Sequence, residues 1–221
     1  MSPNHSFPIL LSAKIGLTAL LIVTPVGLLL AWLQARKRYP GRGVVDALIL
    51  LPMVLPPSVV GFFLVALLGR RGAIGRWLDQ WFDLRIIFTP KAAVIASSVV
   101  ALPMLIKTLQ PAIEVVPEEL EKVGRTLGLS PFSTFFRVTL PAAWRGLMAG
   151  LVLAFARAIG EFGATLMFAG NIPGQTNTMP LEIFAAYQAG DDGRALLYVV
   201  TLSAISCLVV FLAARLREAR T

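Results

Sequence analysis

The sequence contains little of what catalytic or metal-binding chemistry requires. A single cysteine, Cys207, and a single histidine, His5, occur in 221 residues, which excludes an intrachain disulfide and a metal site built from several thiolates or imidazoles of one chain. There is no Walker-type glycine loop for binding ATP, no Ser/His/Asp set and no carboxylate pair suited to hydrolysis. We therefore predict a protein that is not an enzyme and that needs no cofactor or metal.

Charged residues are scarce as well. They make up 14% of the chain, while 57% of its residues are hydrophobic, and a soluble domain of this length normally carries far more charge. We predict an integral membrane protein with one domain, residues 10–214, because no linker or low-complexity stretch divides the chain. The net charge is +8, but the basic residues flank apolar runs, so nucleic acid is not an expected partner.

Five runs with few charges are long enough to cross a bilayer, which takes about 20 apolar residues. They cover residues 14–35, 46–69, 88–110, 145–168 and 195–214, and they predict an all-α, polytopic membrane protein with about five transmembrane helices. The first run lacks a basic leader and a small-residue cleavage site, so we predict a membrane span there and not a signal peptide. Residues 180–188 are a sixth candidate, but they are few and include Glu182. A short helix at the outer surface fits them better.

The basic residues predict the orientation, because cytoplasmic loops are enriched in lysine and arginine. The loop after the first run, the segment between the third and fourth runs and the tail are basic, which places Asn4 outside and Arg220 in the cytoplasm. The loop between the second and third runs breaks this pattern. Its basic residues either attract an anion or an acidic partner, or lie near lipid headgroups and are partly offset by Asp79 and Asp83. They are Arg70, Arg71, Arg76, Arg85 and Lys91.

Prolines interrupt two of the predicted spans. The second contains Pro52, Pro56 and Pro57, and the third contains Pro103 with Ser97 about a turn and a half earlier. Each proline removes a backbone donor and clashes with the preceding turn. In lipid such breaks are tolerated where protein or a water-filled cavity satisfies the freed carbonyls. We predict that these helices bend and line a pathway; ordinary kinked packing is the alternative.

The fourth run carries two charges at membrane depth. Arg157 and Glu161 are four residues apart, so they share a helix face and can pair. Gly160 and Gly163 permit a break or a close approach of another backbone, and Thr165 follows within the next turn. Because charges at this depth usually face a bundle interior or an aqueous cavity, we predict a gate here. A purely structural role for the pair is the alternative, and the two roles are compatible.

The polar segment of residues 117–141, PEELEKVGRTLGLSPFSTFFRVTLP, predicts two short helices. Pro117 suits a first helical position, and acidic residues fill the first turn, where the helix dipole favours anions. Gly128 can end this helix, which we place at residues 118–129. Ser130 and Pro131 then form an N-cap and a first helical residue, opening a second helix that runs to Leu140.

The same segment resembles the cytoplasmic coupling motif of ABC importer permeases, which reads Glu-Ala-Ala, three residues, Gly, nine residues, Ile, one residue, Leu-Pro. Gly128, Val138, Leu140 and Pro141 lie at matching places, whereas the triplet is altered to Lys122-Val123-Gly124, with Glu121 one place early. The resemblance implies a set of residues that couple the chain to a separate ATPase; an amphipathic loop without a partner is the alternative. The set is Glu118, Glu121, Gly124, Gly128, Leu140 and Pro141.

Four further stretches resemble the molybdate branch of these permeases, namely LPMVLPPSVVGFFL, GRRGAIG, AFARAIGEFGAT and GNIPGQT, the last with a predicted turn at Pro173-Gly174. The resemblance implies a type I ABC importer permease fold in the bacterial inner membrane. Two copies would form the pathway, two copies of an ABC ATPase would bind the coupling helices, and an extracytoplasmic binding protein would deliver the oxyanion. The resemblance leaves tungstate or sulfate as alternative substrates. An ATP-independent secondary transporter and a purely structural membrane subunit are competing classes.

Overall fold

The computed structural model describes residues 5–218, and every regular element in that range is helical. The all-α prediction is therefore confirmed. The orientation prediction concerns Asn4 and Arg220, and both residues lie outside the described residues. In chain order the helices are α1 (Ser6–Arg36), α2 (Arg42–Val54), α3 (Pro57–Leu68), α4 (Ala73–Phe82), α5 (Pro90–Glu114), α6 (Glu118–Thr126), α7 (Pro131–Thr134), α8 (Leu140–Ala142), α9 (Trp144–Ile159), α10 (Gly163–Ala169), α11 (Met179–Gln188) and α12 (Asp192–Glu218), with a π-helical segment (Phe135–Thr139) between α7 and α8.

Helix α5 forms the centre of the bundle, and its Leu105 shows how closely its neighbours approach. A Cβ atom added at Gly27 of α1 would lie 2.5 Å from the Leu105 side chain, and one added at Gly150 of α9 would lie 2.9 Å from it. Small residues at helix interfaces allow this close approach in membrane proteins. The large apolar core cluster that includes Leu105 therefore joins α1, α5 and α9.

The second predicted run, residues 46–69, is two helices and not one. Helix α2 ends at Val54, α3 begins at Pro57, and the two axes differ by 113°. The residue before a proline is pushed towards extended backbone, and Leu55 accordingly has ψ 146° before Pro56. Pro57 then occupies the first position of α3, where its missing N–H costs nothing. The predicted bend is confirmed, and it is sharp enough to be a helix break.

The fourth run, residues 145–168, is also divided. Helix α9 ends at Ile159, and α10 begins at Gly163. On its other side α9 is bent by 83° from the helical stretch that precedes it. That stretch includes the π-helical segment, in which the Leu140 N–H donates to the Phe135 carbonyl. Pro141 explains the wider turn, because its ring would clash with the carbonyl four residues earlier in a regular α-helix.

Length and composition distinguish the spanning candidates within the described residues. Three helices, α1, α5 and α12, are long and apolar enough to cross a membrane, and up to five spans result if each bent pair is counted as one. Apolar runs of this length are typical of multi-pass membrane proteins. The exact five-span arrangement stays a prediction.

Two short helices lie outside the predicted membrane spans. Residues 180–188 do form a short helix, α11, but its Glu182 is buried and Met179, Leu181 and Ala186 lie in the protein interior. One face of α11 is therefore packed into the fold, while Phe184 and Tyr187 are exposed. Its place at the outer surface of the membrane stays a prediction. Helix α4 occupies the loop between the second and third runs, where we predicted no helix. Its ten residues are too few to form a run that could cross a bilayer.

Candidate coupling and pathway sites

Helix α6 begins and ends by local chemistry that the sequence indicates. Pro117 is the N-cap and not the first helical residue, and Glu118, Glu119 and Glu121 lie in the first turn. The helix ends at Thr126, three residues before the predicted end. Gly128, with φ 88°, then reverses the chain, so that its N–H donates to the Arg125 carbonyl at 3.0 Å. The Leu129 N–H donates to the Gly124 carbonyl at 3.1 Å, which completes a Schellman C-cap.

The second helix of the segment opens as predicted. The Ser130 hydroxyl accepts a hydrogen bond from the Ser133 N–H, and Pro131 occupies the first helical position. The helical stretch does not stop at Leu140; it continues through the π-helical segment to Ala142. Two capped helices therefore lie against each other. A Cβ atom on buried Gly124 would lie 3.4 Å from the side chain of Leu129 and 3.5 Å from that of Thr134.

Glu121, one of the predicted coupling residues, is buried within the chain. Its Oε1 lies 2.8 Å from Nε of Arg36 at the end of α1 and accepts a hydrogen bond from the Thr139 hydroxyl at 2.9 Å. Arg36 also donates to the Val116 carbonyl at 2.6 Å. Both charged side chains are only 8% exposed. This cluster, which we call the Arg36–Glu121 node, fastens both coupling helices to the first long helix.

The residues of α6 that face outward were missed in the sequence. Leu120 and Val123, together with Leu127 at the C-cap of α6, are all exposed, Leu127 by 79%. Their spacing of three and four residues places them on one helix face. The sequence contained the pattern that predicts this face, because three apolar residues occur at helical spacing in an otherwise charged segment. Of the other predicted coupling residues, Glu118 and Pro141 are exposed and Leu140 is half-buried. The exposed apolar face of Leu120, Val123 and Leu127 is hereafter the α6 stripe.

The predicted pair in the membrane forms. Nη1 of Arg157, in the last turn of α9, lies 2.7 Å from Oε2 of Glu161. The other carboxylate oxygen of Glu161 accepts a hydrogen bond from the Ala164 N–H at 2.8 Å, so Glu161 also satisfies the N-terminus of α10. Its side chain is 1% exposed, and that of Arg157 is 28% exposed. The break between α9 and α10 is therefore held by one carboxylate that serves both helices.

The two helix breaks pack on each other. A Cβ atom added at Gly163, the first residue of α10, would lie 2.8 Å from Cβ of Pro57, the first residue of α3. One turn further along α3, a Cβ atom at Gly61 would lie 2.7 Å from Cβ of Met167. Gly160, in contrast, has only the Ala156 carbonyl at 3.4 Å. The structure thus brings Pro57 of the second run and Gly163 of the fourth run into contact, while Pro56 is the residue before α3.

The remaining predicted pathway residues lie inside the helix packing. Ser97 of α5 is 2% exposed and Thr165 of α10 is 1% exposed, so neither faces an open groove of the single chain. The predicted turn at Pro173-Gly174 is present, with φ 72° at Gly174 and the Gln175 N–H donating to the Ile172 carbonyl. No group of His, Cys, Asp and Glu side chains within residues 5–218 could hold a metal ion.

Comparison with known proteins agrees with this architecture. The chain is similar to the molybdenum transport system permease protein ModB of Escherichia coli (strain K12), with 41% identity over 216 residues, 96% of this chain and 94% of ModB. A putative molybdenum permease of Bacillus subtilis (strain 168), YvgM, is 37% identical over 92% of this chain and 90% of its own length. The sulfate permease CysT of Escherichia coli (strain K12) is 37% identical over 84% of this chain and 66% of CysT.

Solved structures show the same fold. A bacterial ABC transporter that imports the polysaccharide alginate superposes with a TM-score of 0.77 at 15% identity, covering 100% of this chain and 81% of the other. The MetNI methionine ABC transporter, in an inward-facing conformation, superposes with a TM-score of 0.68 at 18% identity, covering 99% and 94%. The profile of the family described as "Binding-protein-dependent transport system inner membrane component" matches residues 23–221. The chain therefore belongs to this family of membrane permeases and has the fold of ABC importer permeases.

Proposed function

We propose that this chain is the permease subunit of an ATP-driven importer of molybdate. The observation that carries the proposal is the 41% identity to the ModB permease over nearly the whole of both chains. The bacterial inner membrane is the expected location, with the N-terminus outside and the C-terminus in the cytoplasm. Two copies of the chain form the translocation pathway, and an extracytoplasmic binding protein delivers the oxyanion.

Coupling to ATP is assigned to the α6 stripe, which docks into a groove on a separate ABC ATPase. An amphipathic helix with apolar residues exposed at this spacing is suited to such a groove. The Arg36–Glu121 node supports the same role, because it connects α6 to α1 and so transmits a movement of α6 to α1. The node thus replaces direct contact as the contribution of Glu121 to coupling.

The contact between Gly163 and Pro57 is proposed as the moving part of the pathway, with Arg157 and Glu161 as its gate. Broken helices supply freed backbone groups and can switch between two packings. Arg157 is neutralised by Glu161, so the pair does not offer a molybdate dianion a strong cationic site. Weak binding is useful here, since a tight site within the membrane would trap the dianion.

Uptake measurements test this function. In a strain that lacks its own molybdate permease, we expect the chain, expressed with its ATPase and binding protein, to restore radioactive molybdate uptake and to co-purify with the ATPase. Uptake should stop when ATP is depleted and persist when the proton gradient alone is collapsed. Uptake that depends on the gradient and not on ATP would contradict the proposal and favour a secondary transporter.

Sulfate is the second candidate substrate, because the CysT sulfate permease is 37% identical to this chain. Tungstate is the third, as an oxyanion of the same shape and charge. Competition in the same assay separates sulfate from the two larger oxyanions: an excess of unlabelled sulfate that abolishes molybdate uptake would assign the system to sulfate. A sulfate excess without effect, together with inhibition by tungstate, would assign it to the larger oxyanions.

A further inference from the structure

Helix α4 has an apolar face that no described part of the chain covers. At 100° per residue, Trp77, Trp81, Ile74 and Phe82 fall on one side of the helix, and all four are exposed, Trp81 by 73%. Arg76 lies on the opposite side and is exposed to solvent as well. Helix α4 is therefore amphipathic, with two tryptophans and a phenylalanine on its uncovered face.

The orientation of α4 is determined by its contact with the end of α3. A Cβ atom at Gly75 would lie 2.1 Å from the Gly69 carbonyl oxygen, and one at Gly72 would lie 2.4 Å from the Leu67 carbonyl oxygen. Backbone therefore touches backbone, and α4 cannot roll without losing this contact. The apolar face is held away from the protein by the packing itself.

Helix α4 lies at one end of the bundle, beside the start of a helix that is long enough to span a membrane. The helix follows directly after α3 and lies at the end of the molecule where α5 begins, since Ile86 and Leu78 pack in one core cluster with Ala92 and Ala93 of α5. The far end of α5 lies about 37 Å away, at 1.5 Å per residue. If α5 spans the bilayer, α4 is expected near the level where the hydrocarbon meets the headgroups, and tryptophan is enriched at that level.

Unpaired positive charge surrounds this helix. Arg70, Arg71 and Arg76 are exposed and form no ion pair within residues 5–218, whereas Arg85 pairs with Asp79 at 3.3 Å. Arg70 and Arg71 border a cavity of about 610 Å³ whose other walls include Val65, Ala66, Ile87 and Phe88. Two guanidinium groups at the edge of an apolar cavity fit a molecule with an anionic head and a hydrocarbon body.

We propose that α4 and the Arg70–Arg71 cavity form a binding site for an anionic phospholipid. The phosphate of the headgroup binds between Arg70 and Arg71. The part of an acyl chain nearest the glycerol contacts Val65 and Ile87, and Trp77 and Trp81 lie at the level of the glycerol. A small dianion such as the transported oxyanion would leave the apolar walls uncovered. An acidic protein surface would leave the exposed aromatic face without an apolar partner.

Tryptophan fluorescence tests this site in the full-length chain reconstituted into vesicles. Trp32→Phe and Trp144→Phe leave Trp77 and Trp81 as the only reporters. We compare quenching by brominated phosphatidylglycerol and by brominated phosphatidylcholine, each at the same fraction of total lipid. We expect phosphatidylglycerol to be preferred roughly fivefold per arginine, since one basic residue near an anionic surface contributes about 1 kcal/mol. High salt should reduce the preference.

In the variant R70Q/R71Q, both brominated lipids should quench the tryptophan fluorescence equally. The control variant K37Q/R38Q, which removes two charges at the opposite end of the bundle, should keep the preference for phosphatidylglycerol. Equal quenching of the parent protein by both lipids would overturn the proposal, because the site would then not select an anionic headgroup. Absence of quenching by either lipid would overturn it too, since a second copy of the chain or another protein would then cover α4.

Discussion

Gly128 combines a left-handed backbone with open space around it. Its φ is 88°, and no atom lies within 4 Å of an added Cβ, so a side chain there costs backbone strain of about 1–2 kcal/mol and causes no clash. We expect Gly128→Ala, and more strongly Gly128→Val, to loosen the C-cap of α6 and to lower substrate transported per ATP hydrolysed. The variants should still insert, and Gly128→Asn should be milder because asparagine tolerates this backbone.

Gly41 provides the matched control for that measurement. It has φ 83° and also no neighbour within 4 Å, but it lies at the start of α2. Gly41→Ala should therefore carry the same strain while leaving the ratio of transport to hydrolysis unchanged. A normal ratio in Gly128→Val at normal abundance would show that the geometry of this cap has no part in coupling.

The buried charges of the Arg36–Glu121 node lead to a prediction about stability. Removing Glu121 leaves the Arg36 charge buried without its partner, which costs about 3 kcal/mol or more. Removing Arg36 leaves Glu121 with only the longer contact to Arg125, whose Nη2 lies 3.8 Å from Oε2 of Glu121. We expect Glu121→Ala and Arg36→Ala each to lower the thermal stability of the purified protein strongly, and the double variant to recover part of the loss. A double-mutant cycle gives the interaction free energy.

The ion pair between Arg42 and Glu114 is the comparison for this cycle. Its atoms are 3.7 Å apart and its side chains are 38% and 42% exposed, so its interaction should be worth less than about 1 kcal/mol. Equal interaction free energies for the two pairs would mean that the Arg36–Glu121 node contributes no more than a surface contact.

At the scale of helices, the break between α9 and α10 depends unequally on its two charges. Glu161 is almost fully buried, while Arg157 is 28% exposed. Arg157→Gln leaves a buried carboxylate without its partner, whereas Glu161→Gln keeps an oxygen that can accept from Ala164 and leaves an arginine that can reach solvent. We expect Arg157→Gln to reduce protein abundance more than Glu161→Gln, and the double change to restore it partly.

Measuring transport per inserted molecule in the same variants distinguishes a gating role of the Arg157–Glu161 pair from a purely structural role. A gate predicts that Glu161→Gln alters basal ATPase activity or ion leak in the assembled complex at near-normal abundance. If all three variants transport normally per molecule, the pair is structural, and the Pro56–Pro57 break of the second run becomes the better candidate for the gate.

At the scale of the whole molecule, orientation is the prediction to test. The basic residues of the other loops and of the tail predict α6 in the cytoplasm and therefore α4 outside, although the loop of α4 is itself basic. On a Cys207→Ser background, Gln80→Cys and Lys122→Cys introduce thiols at exposed positions of these two helices. We expect an impermeant maleimide to label Gln80→Cys only from outside and Lys122→Cys only from inside. Labelling of both from one side would require an even number of spans between them.

Much of this molecule follows from its sequence because the deciding interactions are local. Long charge-free runs predicted α1, α5 and α12, since lipid requires internally bonded helices of a given length. The Gly128 cap, the Ser130 cap and the Arg157–Glu161 pair involve residues at most five positions apart. Backbone geometry alone brings such residues together, so their spacing was enough to predict them.

Other features were decided by the tertiary structure alone. The partner of Glu121 is Arg36, 85 residues away, and the partner of buried Glu182 is Arg194 of α12. Gly163 meets Pro57 only because two broken helices cross at that point. Helical periodicity states which residues share a face, but not which face of another helix it will meet. Which faces meet depends on side-chain shape across the whole bundle. For this reason the sequence pattern did not predict that Glu121 pairs with Arg36, and it did not predict the exposed face of α4.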